Sequence, residues 1–130
     1  MATQEIPSER WRAFLDGFSR QHEGWLVSLE VFGADIGAQE EAHELPLEGI
    51  TTELKNNEQG SEPERIAISL GNTPEDHLTH SITGPTHIWL EQTQAGANAA
   101  LEIESADETK TLLRFRSALP SEMVDGVVLG

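Results

Sequence analysis

The segment Asp76–Gln92, DHLTHSITGPTHIWLEQ, gathers His77, His80 and His87 with Asp76, Glu91 and Trp89. Imidazoles and carboxylates at this density are the groups that bind zinc or exchange protons near neutral pH. Their spacing decides between those uses. HLTHSI alternates with the period of a strand, so His77, Thr79 and Ser81 leave one side of a sheet while Leu78, His80 and Ile82 leave the other. His77 and His80 therefore cannot grip one ion from a single regular strand, and no metal is expected. A loop of Gly84–Thr86 would close a hairpin that pairs Thr83 with His87, Ile82 with Ile88, Ser81 with Trp89 and His80 with Leu90. Leu78, Ile82, Ile88 and Leu90 then form a buried face, with His80 a hydrogen-bonded core histidine. The opposite face, His77, Thr79, Ser81, His87, Trp89 and Glu91, is the candidate ligand-binding surface. An indole beside hydroxyls, imidazoles and a carboxylate can hold a peptide or a small molecule.

Other catalytic signatures are missing. There is no G-x-S-x-G elbow, no phosphate-binding loop and no calcium loop. HELPL opens like a zinc-protease motif, but Leu47 stands where the second histidine belongs and Pro46 opposes a helix. GADIG is not a dinucleotide fingerprint. No catalytic residue is assigned and no cofactor is expected.

Charge narrows the partners. The chain of 130 residues carries 23 acids against 8 Lys plus Arg, a net charge of −15. Such a field repels nucleic acid, and Arg114 and Arg116 alone make no basic patch. No window approaches the roughly 18 apolar residues of a membrane span. The opening MATQEIPSERW lacks the basic and apolar regions of a signal peptide, so cytoplasmic residence is expected. Cysteine is absent, which removes disulfides and thiolate chemistry. The partner expected is an unidentified protein or small molecule, and a homo-oligomer is compatible with the composition.

Elements must position these residues. Trp11, Phe14, Leu15 and Phe18 recur at helical spacing, predicting an amphipathic helix over residues 8–21 that Gly24 ends. From residue 25 the period is two. WLVSLEVF reads as a half-buried strand and GADIG as a loop. In the next strand Leu45 and Leu47 stand on odd positions, Ile50, Thr52 and Leu54 on even ones. A bulge near Glu48–Gly49 would restore one face and bend the strand. NNEQGSEPE (56–64) reads as a polar, mobile loop, and RIAISLG as a strand. NTPED is a turn, and TQAGANAA a loop or one helical turn. LEIES and TLLRFR form a hairpin that pairs Leu101 with Leu113 and Glu104 with Lys110, and gives the arginines strand carboxylates as partners. The tail, 117–130, shows no period and is expected to be partly disordered.

Several phrases in order, HEGWLVSLEV, GADIGAQEEAHELPLEGI, DHLTHSI, HIWLEQ and ALEIESADETKTLLRFRS, resemble a family of small bacterial proteins known only as a domain of unknown function. The resemblance runs from Ile6 to Gly126. It implies a stand-alone bacterial domain and carries no activity or site residue.

The expected fold is one α+β domain over residues 1–130, with its β region at 25–116. An N-terminal helix packs on six or seven mostly antiparallel strands, as a strongly bent sheet or a small SH3-like or Sm-like barrel. Two functions follow. The first is a non-enzymatic interaction or small-ligand-binding module using the Trp89 face, unless the helix stripe, the tail or an oligomer partner covers it. The second is a metal-dependent or acid–base enzyme using Asp76, His77, His87 or Glu91 of the 76–92 hairpin.

Overall fold

The computed structural model describes residues 2–33, 37–57, 60–71, 73–94 and 96–115. Pro7 leads into a single 3-10 turn, Ser8–Arg10, and the helix α1 follows at Trp11–Gln21. Trp11, Leu15 and Phe18 are buried and Phe14 packs beside them, so the aromatic stripe is core. Neither Pro7 nor Arg10 supplies a side-chain cap. Burial of the stripe stabilises the helix instead, as is usual for a helix this short. Gly24, at φ 88°, ends the segment in a backbone conformation that a Cβ disfavours.

The strands are β1 (Ala2–Glu5), β2 (Leu26–Gly33), β3 (Gly37–Asn57), β4 (Gly60–Leu70), β5 (Leu78–Thr83), β6 (Pro85–Gln92), β7 (Asn98–Ser105) and β8 (Lys110–Phe115). All pairings are antiparallel. Among the described residues the fold is α+β: one helix on a large, open, eight-stranded sheet in the order β1-β6-β7-β8-β2-β3-β4-β5. No ladder joins β1 to β5 among the described residues, so the sheet does not close on itself.

Two predicted registers are observed. Leu101 faces Leu113 and Glu104 faces Lys110, because only that parity buries Leu101, Ile103, Thr111 and Leu113 together. In β3 the ladder to β4 shifts register between Leu47 and Gly49. Leu47 and Ile50, of opposite parity, both reach the core at 1% and 2% exposure. The strand changes partner at the same place, from β2 to β4, and thereby links two layers.

Three expectations are corrected. The hairpin of Asp76–Gln92 does not form. β5 pairs with β4, setting Ile66 beside Ile82, Ile68 beside His80 and Leu70 beside Leu78. β6 pairs instead with β7 and β1. Only Gly84, at φ 67°, separates β5 from β6, too little for a two-residue hairpin turn, and the chain turns a corner between layers there. The second correction is strand number. β1 is an added eighth strand; its ATQE has no apolar alternation because it lies at a sheet edge. Third, the backbone of 56–57 and 60–64 belongs to the β3–β4 ladder, which needs only main-chain partners, and not to a loop. Residues 34–36 of the predicted GADIG loop, residues 58–59, Arg116 and the tail 117–130 lie outside the described residues.

Among the described residues no helix is long and apolar enough to cross a membrane.

Candidate functional site

The six residues singled out from the sequence divide into two groups. Parity along each strand holds: Thr79, Ser81 and His87 are exposed and Trp89 is half-buried, while Ile82, Ile88 and Leu90 are buried. Their assembly does not. Thr79 and Ser81 lie on β5, at the β4–β5 end of the sheet, and His77 directly precedes that strand. His77 Nε2 lies 2.9 Å from Glu48 Oε2, at the β3 bulge. Both line an open cavity of about 590 Å³ with Pro46, Leu47 and Pro74. Thr79 Oγ1 lies 3.4 Å from Ser69 Oγ on the neighbouring strand. His80 points inward, as expected. It is half-buried with Nε2 3.4 Å from Thr111 Oγ1, and burial lowers its pKa against a smaller raising effect of Glu41.

His87, Trp89 and Glu91 stay together on β6, with β1 beside them. The His87 and Trp89 rings stack at 5.0 Å between centroids and 15° between planes. Nδ1–H of His87 donates to Glu5 Oε2 at 2.7 Å, since a carboxylate can only accept. Register places Glu5 on one flank of Trp89 and Glu102 on the other. The same row continues through Leu112, Glu30 and Glu40. Glu30 is held by Arg114 at 2.8 Å and Glu104 lies 4.0 Å from Lys110, but Glu91 and Glu102 have no ion-pair partner among the described residues. The outer face is therefore a line of carboxylates with Trp89 in it and two carboxylates uncompensated. The helix does not cover it, because the α1 stripe belongs to the core on the other side of the sheet.

A second cluster was not anticipated from the sequence. His22, one residue beyond α1, is 1% exposed. Its ring stacks on Phe115 at 4.7 Å and 18°, lies 4.4 Å from Phe18, and meets the Trp25 ring edge-on at 4.6 Å. Nδ1–H donates to the Phe18 carbonyl at 2.8 Å, which leaves Nε2 as the acceptor for Asn98 Nδ2 at 3.2 Å. Asn98 Oδ1 in turn accepts from Gln92 Nε2 at 3.0 Å. Desolvation lowers the His22 pKa, outweighing the Phe18 carbonyl, which favours the cation. The ring is neutral at pH 7. The signal was present in the sequence: Trp11, Leu15, Phe18 and His22 continue one stripe at i, i+4, i+7 and i+11.

Among the described residues no three His, Cys, Asp or Glu side chains converge as a metal ion would require. Histidine–carboxylate pairs occur at His77–Glu48 and His87–Glu5, in different parts of the sheet.

The sequence profile of a family described as "Family of unknown function (DUF5335)" matches residues 2–124. An uncharacterized protein of Aquifex aeolicus (strain VF5) is 30% identical over 120 residues, which cover 92% of this chain and 97% of the relative. No solved structure matches.

Proposed function

Because the chain belongs to this family of unknown function (DUF5335), its activity must be argued from the site alone, and we propose that it is a non-enzymatic binding module for a cationic protein segment. The observation that carries the reading is Trp89, half-exposed, flanked by Glu5 and Glu102 and close to Glu91, which has no ion-pair partner among the described residues. A Lys or Arg side chain laid on that indole gains a cation–π contact and a carboxylate together. The −15 charge of the chain steers such a partner and repels polyanions. The sheet holds the indole rigidly through paired neighbours on both sides, so little ordering entropy is lost on binding. The enzyme alternative has less support, because Asp76 and His77 precede β5, which pairs with β4 and not with the β6 of His87 and Glu91. The same reading treats the bent sheet as an opened relative of a small SH3-like or Sm-like barrel. The bulge at Glu48–Gly49 and the corner at Gly84 support that kinship.

A test uses a synthetic Lys/Arg-rich peptide and a Glu-rich control, titrated at low and high salt. The basic peptide should bind the wild type, weaken with salt, and lose about tenfold or more in affinity with Trp89→Ala, as for a central aromatic anchor. Equal binding by the Trp89→Ala protein would remove the reading.

A further inference from the structure

We propose that the cavity beside His22 is a second, separate binding site, for a small uncharged ring compound that offers an N–H or O–H donor to Gln92 Oε1. The cavity holds about 450 Å³, within the range of small-molecule sites, and lies between α1 and the β6–β7 turn. Phe14, Phe18 and Leu90 form its apolar wall; His22, Gln92 and Asn98 form the polar one. Among the described residues no Asp, Glu, Lys or Arg lines it, in a chain where 24% of residues are charged. A charged ligand would find no counter-charge there and would lose its hydration for nothing in return.

The hydrogen bonds supply a direction. Gln92 donates to Asn98, Asn98 to His22, and His22 to the Phe18 carbonyl. Each donor points inward, so the series ends on a main-chain oxygen and opens outward at Gln92 Oε1. Bonds aligned in this way polarise one another, which makes that terminal oxygen the better acceptor. It has no hydrogen-bond partner among the described residues.

Gly17 gives an independent indication. A glycine inside a helix is unfavourable relative to alanine, and close packing usually accounts for one that is kept. Here a Cβ at Gly17 would meet nothing within 4 Å. What the missing side chain leaves is open space on the cavity wall, where a planar ring can lie against Phe14.

The probes are benzamide, toluene, benzoate and benzylamine, offered to the full chain and read by saturation-transfer NMR. Benzamide should bind, with toluene, benzoate and benzylamine each about tenfold weaker, the loss expected for one hydrogen bond or one uncompensated charge. Gln92→Met, which keeps the size and removes the acceptor, should reduce benzamide to the level of toluene. Gly17→Leu, which fills the space, should abolish binding of every probe. If Gly17→Leu does not fold, Gln92→Met decides alone. Trp89→Ala should leave benzamide binding unchanged, so the outcome here is independent of the outer face. No saturation of benzamide, equal uptake of toluene, or an unaffected Gln92→Met variant would overturn the proposal.

Discussion

His22 and His87 each stack on an aromatic ring at about the same separation, 4.7 Å to Phe115 and 5.0 Å to Trp89, yet they live in opposite environments. His22 is enclosed by Phe18, Trp25 and Phe115 and answers to neutral partners, a main-chain carbonyl and an amide. His87 is exposed and answers to the Glu5 carboxylate. Stacking alone therefore says little about what a histidine does. The dielectric around the ring and the charge of its hydrogen-bond partner decide whether it holds the core or decorates a binding face.

The largest effect expected from that contrast is on folding. His22→Ala removes a buried ring and leaves an Asn98 N–H without its partner, while the Phe18 carbonyl keeps the main-chain N–H of residue 22 at 3.1 Å, so it should cost about 3 kcal/mol in denaturant unfolding. His87→Ala in the same assay would break the comparison if it cost as much.

The acid limb of the stability curve sharpens it. The folded-state pKa of His22 is lowered from 6.5, so below that pH the unfolded chain binds a proton that the folded chain resists. The unfolded state then binds more protons, and stability rises with pH. The His22 contribution is complete above pH 6.5 and is lost as pH falls through the window beneath it. His80 contributes with the same sign, whereas the lowered pKa of Asp107 acts only at lower pH, below the ordinary carboxylate value of 3.8. Melting temperatures measured from pH 8 to 5 should fall with acidity, less steeply for a His22→Phe variant. An unchanged slope in that variant would assign the acid limb elsewhere.

Smaller effects complete the series. Gly17→Ala should raise stability by about 1 kcal/mol, since the methyl group meets no atom and the helix gains propensity. His87→Ala should change stability by no more than about 0.5–1 kcal/mol, the value of an exposed ion pair at most. Urea unfolding of both variants checks them together.

How much of this was legible in the sequence follows from what periodicity encodes. Alternation tells which way a side chain leaves its strand, so the facing of Ile82, Ile88, Leu90, Leu101 and Leu113 could be read, and the parity change between Leu47 and Ile50 revealed the bulge. It does not tell which strand lies alongside. The apolar face of β5 fits Ile66, Ile68 and Leu70 of β4 as well as Ile88 and Leu90 of β6, and the two choices differ only in three dimensions. For that reason the six-residue surface inferred from the sequence split, and only His87, Trp89 and Glu91 remained together. Glu5 and Glu102, which flank Trp89, could not be found because a polar edge strand and a carboxylate on a half-buried strand carry no distinguishing pattern. His22 was readable, as the next position of the helix stripe, had the stripe been followed one turn further.

The central claim is that Trp89 is the anchor of a face for cationic partners. Three indole N–H signals report on it separately: Trp11 Nε1 donates to the Ile6 carbonyl at 2.8 Å in the core, Trp25 packs edge-on against His22, and Trp89 lies on the outer face. In a titration of the 15N-labelled chain with a Lys/Arg-rich peptide, the account predicts that the Trp89 indole and the amides of Glu5, Glu91 and Glu102 shift, while Trp11 and Trp25 stay still. A peptide that binds without moving the Trp89 signal, or that moves the Trp25 signal instead, would contradict it.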